Sequence, residues 1–586
     1  MIGILQAQDG AGMTENLQVI GRMKMSLQFI IGSSGSGKSC YAYQNIIEQA
    51  GLHPEKLFYV IVPEQFTMQT QKTLVEMSPG RGILNIDILS FERLAYRVLE
   101  EVGGDSRILL EETGKSMVLQ KMVQQHGKEL SYLGGQMRKA GYLDEVKSIL
   151  SEFMQYDIRD SEIQEMIEDS GDRALLQMKL KDVAVLYQAF TGYLKNHYMT
   201  GEEVMDALEK ALPFSKKMKN SVLLLDGYTG FTPIQMRVVG ELLAVCEKVM
   251  VTVTMDADEN LSMRGKPYQL FYMSRQMIHG LSELTRDIEE SILLKDVRKS
   301  RFSQAPALHF LEKNIFRYRK NVYKKKQDEI CMFSATSPLK EMEETARRIA
   351  RLVREKDCRY GEIAVITGNL EEYGNLAKQV FTAAGIPYFI DEKHTVLMNP
   401  FVEYFRAALE MAVQDFSYES VFRYLRCGMS CVTREEADLL ENYVLALGIR
   451  GFKKWDEVWV RIYRGMPPES IQRLNEIRER FADETRELAL SFKGGKKTVR
   501  EYCTILYEFA LKSQVQQKLK HQELKFKEQG DKAMEKEYAQ IYGIVMELLD
   551  NMVEILGEET VSRQDFRQLL ETGLNQAKVA LIPPSM

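Results

Sequence analysis

The apolar positions of this chain follow two rhythms. One is a set of short, nearly continuous apolar runs, the pattern of strands buried on both faces of a parallel sheet. Leu27-Gln28-Phe29-Ile30-Ile31 is the first run, Leu57 to Val62 the second and Gly82 to Leu89 the third. Ser221 to Asp226 and Val249 to Thr254 complete the set in the first half. The other rhythm predicts helices at Cys40 to Ala50 and Phe91 to Glu101. It then persists from about Ile108 to Lys217, where Tyr142 to Tyr156 and Leu180 to Tyr193 carry apolar residues three and four apart. After Asp328 the alternation resumes. Glu329 to Ala335, Ile363 to Thr367 and Gly385 to Ile390 read as strands, with helices at Leu339 to Glu355 and Gly374 to Ala384 between them. From about Pro400 helices dominate.

Strand and helix in alternation mean parallel α/β sheets. The expected fold class is therefore α/β, with two parallel-sheet domains, the second one incomplete, each carrying a helical insertion. The expected boundaries are 1–24 for an extension and 25–107 with 218–312 for the first sheet domain. Residues 108–217 form its insertion, 313–327 a linker, 328–412 the start of the second sheet domain and 413–586 a further helical insertion.

Composition narrows the class. At 586 residues the chain exceeds one ordinary domain. Hydrophobic content of 45% and charged content of 27% are those of globular protein. A net charge of −6 gives no global basic signal, so any nucleic-acid contact is local to a groove. Seven scattered cysteines suit a reducing compartment. No apolar run is long enough to span a membrane, and Met1 to Lys24 lack the apolar core of a signal peptide. The expected location is cytoplasmic. Met1 to Lys24 read as a mis-called start or a frayed terminus, with Met25 a second start candidate directly before the first strand.

The chemistry begins where that strand ends. Gly32-Ser33-Ser34-Gly35-Ser36-Gly37-Lys38-Ser39 is a complete Walker A pattern between a strand and a helix. Its glycines let the backbone wrap so that successive N–H groups point at phosphate oxygens. The helix that follows turns its positive end toward them. Lys38 reaches the β- and γ-phosphates of ATP, and Ser39 holds Mg²⁺ through its hydroxyl. Asp226, at the end of the apolar strand Ser221 to Leu225, has the Walker B position and orients water on the same Mg²⁺. A motor that hydrolyses ATP usually has Glu next, as the base for water; here the residue is Gly227.

Two more strand ends carry polar and aromatic residues. They are Pro63-Glu64-Gln65-Phe66-Thr67 and Ser90-Phe91-Glu92-Arg93. Ligands of open α/β sheets collect at the carboxyl ends of strands. Phe91 stacks on a base and Arg93 forks onto a guanine edge in one reading. In the other, Phe91 packs inward and Arg93 solvates its helix face; the residues alone leave the two open. The basic, aromatic stretch Lys313 to Lys326, with Phe316, Tyr318 and Tyr323, reads first as a solvated linker and second as a single-strand track. Cys427 and Cys431 lack companions for a zinc site, and no Ser/His/Asp or Cys/His arrangement stands out.

The motifs in order resemble the AddB family, the B subunits of bacterial helicase–nucleases. They are the Walker A, Val62-Pro63-Glu64-Gln65, Leu89-Ser90-Phe91-Glu92-Arg93-Leu94-Ala95 and Asp226-Gly227-Tyr228-Thr229-Gly230-Phe231-Thr232-Pro233. Ile386-Pro387-Tyr388-Phe389-Ile390-Asp391, Leu440-Glu441-Asn442-Tyr443 and Gly448-Ile449-Arg450-Gly451 extend the resemblance from Met25 to the end. It implies two RecA-like domains of superfamily 1 helicase type, each interrupted by a helical insertion. It also implies an AddA-like motor partner, processing of double-strand DNA breaks, and reading of the Chi sequence in the emerging single strand. The reading positions map onto Gln65, Thr67, Phe91 and Arg93, and onto Tyr228. Such subunits continue into later helicase motifs, a nuclease domain and a four-cysteine iron–sulfur cluster, which are expected only beyond Pro583-Pro584-Ser585-Met586. The expectation is a fragment or truncated product with little or no catalysis of its own. Gly368 departs from the family, whose members usually carry Arg at that strand end.

The competing readings are an autonomous superfamily 1 helicase, which Gly227 disfavours, and a P-loop small-molecule kinase. The kinase fits the Walker A but not the paired sheet domains with helical inserts.

Overall fold

The run Leu27–Ile31 lies inside a seven-residue strand, β1 (Ser26–Gly32), whose last four residues are all buried. The computed structural model describes residues 26–80, 82–103, 107–137, 140–195, 198–260, 265–295, 300–317, 321–390 and 393–580. The extension Met1 to Lys24, Tyr318, Asp391 and Pro583 to Met586 lie outside the described residues. Contacts divide the chain into two units: Met1–Ser106, Met154–Asp157 and Gly201–Ile330; and Arg107–Phe153, Ile158–Thr200 and Cys331–Met586.

The first unit is built on a six-stranded parallel sheet. Its strands are β1, β2 (Phe58–Ile61) and β3 (Ile86–Leu89), followed after β4 (Ile108–Leu110) and β5 (Tyr198–Thr200) of the second unit by β6 (Val222–Leu225), β7 (Lys248–Thr254) and β8 (Ile292–Leu293). The spatial order is β3-β2-β6-β7-β1-β8. β1 pairs with β7 from Ser26↔Lys248 to Gly32↔Thr254, and with β8 at Ile30 and Ile31. Ile61 lies level with Leu89 and Leu225, and Leu225 with Val251. The Walker A loop, the Pro63 turn, Ser90 and Asp226 therefore all leave the same edge of the sheet. Below them Ile30, Ala42, Ile46, Phe58, Val60, Leu224 and Met250 form the core. Burying side chains of this size contributes about 1.5–3 kcal/mol each. Helix starts are set locally. Ser90 caps Phe91–Val102 through the Arg93 N–H at 3.3 Å. Thr232 and Gln235 form a capping box ahead of Pro233–Val245, with Pro233 in the first turn.

The second unit is mainly helical, as the 3.6-residue pattern predicts. Its core gathers around Phe401, Tyr404, Phe405, Trp455, Phe481 and Phe566. Short ladders were missed by the sequence reading: β4 with β5 in parallel inside the stretch expected to be all helix, β10 (Lys497–Thr498) with β11 (Thr560–Val561), and β9 (Lys393–Thr395) with β12 (Lys578–Ala580). Two- and three-residue strands are too short to leave a periodic signal.

One group of element expectations is corrected. Of the second α/β stretch, the helices Pro338–Glu355 and Leu370–Ala383 form and pack around Met342, Ile349, Val380 and Phe381. The segments Glu329 to Ala335, Ile363 to Thr367 and Gly385 to Ile390 make no sheet. Met332 and Ile366 are 92% and 94% exposed, so the first two runs are not sandwiched as strands would be, while Ile386 of the third is buried against the two helices. Strand propensity favours a half-buried pleated surface, and among the described residues these segments have no neighbouring strand to supply one. Among the described residues, no helix is long and apolar enough to cross a membrane.

Candidate functional site

The Walker A residues form a loop between β1 and the helix Lys38–Leu52. Gly35 and Gly37 take positive φ, 74° and 88°, which turns the chain without a side-chain penalty. Gly32 sits in a tight spot: a Cβ there would displace the Ser36 hydroxyl, at 2.3 Å, and press on Ser36 Cβ and Leu294 Cβ at 3.1 and 3.2 Å. The helix begins at Gly37 with no side-chain cap, so first-turn N–H groups remain available to an anion. Lys38 Nζ donates to the Ser33 carbonyl at 3.0 Å. Burial lowers the Lys38 pKa against the opposing pull of Asp226 and Glu312.

Asp226, 5% exposed, sits just past β6 and gathers three hydroxyls. Ser39 Oγ donates to its Oδ1 at 3.0 Å and Thr252 Oγ1 to the same oxygen at 2.5 Å. The Tyr43 hydroxyl donates to Oδ2 at 2.6 Å. Burial first, then the Asp226 charge, raises the Tyr43 phenol far above its ordinary range. Ser39 beside Asp226 offers hard oxygen donors, the set that suits Mg²⁺. Tyr43 and Thr252 were missed by the sequence reading. Tyr43 is four residues beyond Ser39, hence on the same helix face, and Thr252 is a polar interruption in the apolar run of β7.

Gly227 has φ of 81°, and its N–H donates to Thr252 Oγ1 at 3.4 Å. A glutamate at this position would be forced into the left-handed region. The backbone is thus shaped for glycine where a motor would carry its base. On the other side of the loop, the Arg301 N–H donates to the Gly35 carbonyl at 2.8 Å. A cavity there is lined by Ser33, Ser36, Asp256, Lys295, His309 and Lys313.

The other candidate residues come together at the ends of β2, β3 and β6, in two layers. Gln65 and Arg93 are outside and exposed, and Tyr228 is half-buried. Thr67 and Phe91 are inside, at 8% and 5% exposure. The Phe91 ring packs edge-on against Tyr228 at 5.5 Å and Phe231 at 6.2 Å, while Tyr228 and Phe231 meet at 5.2 Å. Thr67 Oγ1 donates to the Glu64 carbonyl at 2.9 Å. Phe91 thus packs inward, the second of the two sequence readings: its ring is buried and already meets two aromatic neighbours. The Thr67 hydroxyl is engaged by its own turn. Both residues support the outer layer. Arg93 Nη2 lies 3.0 Å from Glu64 Oε1.

Outside this edge, Arg317 of the basic stretch is turned inward, its Nε and Nη2 donating to Asp256 at 3.0 and 2.9 Å. Phe316 is 73% exposed and Tyr323 packs on Phe310 at 5.2 Å. Cys427 and Cys431 are free and half-buried. Gly368 is exposed, directly after the unpaired segment Ile363 to Thr367.

Comparison with known proteins matches this chain to one family. The family model described as ADDB, N-terminal, matches residues 29–312. The chain is 41% identical over 572 residues to the B subunit of the ATP-dependent helicase/deoxyribonuclease of Lachnoclostridium phytofermentans, covering 96% of this chain and 50% of that protein. It is 35% identical over 581 residues to the protein of the same name in Caldanaerobacter subterraneus, covering 96% and 49%. With that of Clostridium novyi it shares 33% over 569 residues, again 96% and 49%. The chain spans about half the length of these relatives.

Proposed function

We propose that this chain, whose residues 29–312 match the family model described as ADDB, N-terminal, is the nucleotide-binding, single-strand-scanning part of the B subunit of an ATP-dependent helicase/deoxyribonuclease. In this role it binds Mg·ATP, works beside an AddA-like motor subunit, and reads a Chi sequence in single-stranded DNA during processing of double-strand breaks. The observation that carries the reading is one sheet edge with two neighbouring sites. The Ser39–Asp226 pair adjoins the Walker A loop, and Gln65, Arg93 and Tyr228 line the next strand ends.

In the nucleotide site, residues Gly32 to Gly37 wrap the phosphates with backbone N–H groups, Lys38 neutralises them, and Ser39 with Asp226 holds Mg²⁺. The metal supplies charge neutralisation at the phosphates when bound. Tyr43 and Thr252 orient the Asp226 carboxylate by donating to it. No side chain of the Asp226–Gly227 segment serves as a base for water, which favours a binding and coupling site over a motor. In the neighbouring site, Arg93 offers a planar fork of donors to a base edge, and Tyr228 offers an aromatic face backed by Phe91.

The test is titration of fluorescent single-stranded oligonucleotides, from a random pool and from sequences selected out of it, with the chain alone and with a motor subunit. Sequence-dependent affinity supports the scanning role. Absence of any single-strand binding in both settings overturns it. DNA-stimulated ATP hydrolysis by the chain alone would establish an autonomous helicase instead.

A further inference from the structure

At the strand ends a carboxylate sits among the groups proposed above to read DNA. The exposed Arg93–Glu64 pair leaves both side chains more than half accessible, at 57% and 54%. A pair this accessible adds little to stability, so the fold does not require it. The Glu64 backbone is nevertheless fixed. It opens the 3₁₀ turn Glu64–Phe66 at the end of β2; the Phe66 N–H closes on the Pro63 carbonyl at 2.8 Å, and the Thr67 hydroxyl ties down the Glu64 carbonyl. Its charge also reaches across to Tyr228, whose phenol is raised first by burial and then by Glu64.

A carboxylate in this position acts differently on the two parts of a DNA strand. It repels phosphodiesters, whereas base edges presenting donors and acceptors carry no net charge. Arginine has five N–H donors in a rigid fork. With one held by Glu64, others remain to meet the O6 and N7 of guanine. Without Glu64 the same guanidinium would be a free phosphate contact, which positions a strand but carries no sequence information.

We infer that Glu64 is a specificity-determining positioning residue, whose carboxylate aims the Arg93 guanidinium at a base edge of single-stranded DNA and keeps the phosphate backbone off it. The inference rests on the single-strand reading proposed above.

The experiment measures anisotropy of two labelled single-stranded oligonucleotides of equal length with the full chain across a salt series. One is thymidine only; the other alternates thymidine and deoxyguanosine. Glu64→Gln, isosteric and exposed, should bind the thymidine strand more tightly. It should steepen the salt slope by about 0.7, the increment of one added phosphate contact on a single strand. The guanine preference should fall by about fivefold or more. Glu64→Asp, which keeps the charge, should restore part of the preference, and Glu64→Gln should add nothing in an Arg93→Ala background. Wild-type slope and preference in Glu64→Gln would overturn the role of Glu64 while leaving single-strand binding intact. Equal wild-type affinity for the two strands would also overturn it. Failure of the wild type to bind either strand would remove the underlying reading and this inference together.

Discussion

Tyr43→Phe removes a single oxygen from the hydrogen-bonded group around Asp226. Tyr43 is 6% exposed and Asp226 5%, so water does not replace the lost donor. Ser39 and Thr252 both donate to Oδ1, and Tyr43 is the hydroxyl on Oδ2. A hydrogen bond to a charged group contributes about 1.5–3 kcal/mol. With Oδ2 left buried, the expected loss lies at the upper end, about 2–3 kcal/mol, and it falls on the first unit. Mg·ATP binding should weaken about tenfold, as when a group that orients a metal ligand is removed. The chain offers an internal control: its two tryptophans, Trp455 and Trp459, both belong to the second unit. Urea unfolding followed by tryptophan fluorescence should be unchanged, while far-ultraviolet circular dichroism gains an earlier transition. Titration with a fluorescent ATP analogue gives the affinity. A dichroism curve that coincides with wild type, with unaltered nucleotide affinity, would refute the reasoning.

Lys38→Ala should weaken Mg·ATP binding while leaving single-strand affinity in place, read by the two titrations on one preparation. Because the folded Lys38 pKa is below the ordinary 10.5, the unfolded chain binds the proton more tightly between those values. Its contribution to stability therefore rises with pH across that window, while nucleotide affinity, which needs the ammonium, falls. Lys38→Ala should flatten both trends, and parallel profiles in variant and wild type would count against the assignment. Gly227→Glu should not create an ATPase, and should lose about 1–2 kcal/mol for a side chain at positive φ; DNA-stimulated phosphate release by this variant would show the conclusion wrong. Phe91→Ala should cost about 3–5 kcal/mol, as for a buried aromatic, and lose sequence discrimination through Tyr228. Arg93→Ala, at an exposed site, should lose about 1–3 kcal/mol of discrimination with a thermal midpoint near wild type. Equal destabilisation by both would contradict the layering.

The sequence alone determined the elements whose chemistry is local. The Walker A loop needs its glycines where φ turns positive, and Lys38 and Ser39 follow by spacing, so the loop that we propose binds nucleotide was legible without neighbours. The apolar runs Leu27 to Ile31, Leu57 to Val62 and Ser221 to Leu225 announced a parallel sheet, because strands covered on both faces have few polar positions. Even the absence of a base after Asp226 is a statement of sequence. What only the tertiary structure decided depends on partners distant in the chain. Tyr43 and Thr252 reach Asp226 across 183 and 26 residues, and their local signals, a shared helix face with Ser39 and a polar interruption of β7, do not name Asp226 as the partner. Phe91 and Arg93 are two residues apart, yet one is covered by rings from Tyr228 and Phe231 and the other faces water beside Glu64. The strands expected in the second α/β stretch illustrate the same limit from the other side. An extended apolar run becomes a strand only when a neighbour satisfies its N–H and C=O groups, and that neighbour is a property of the fold, not of the run.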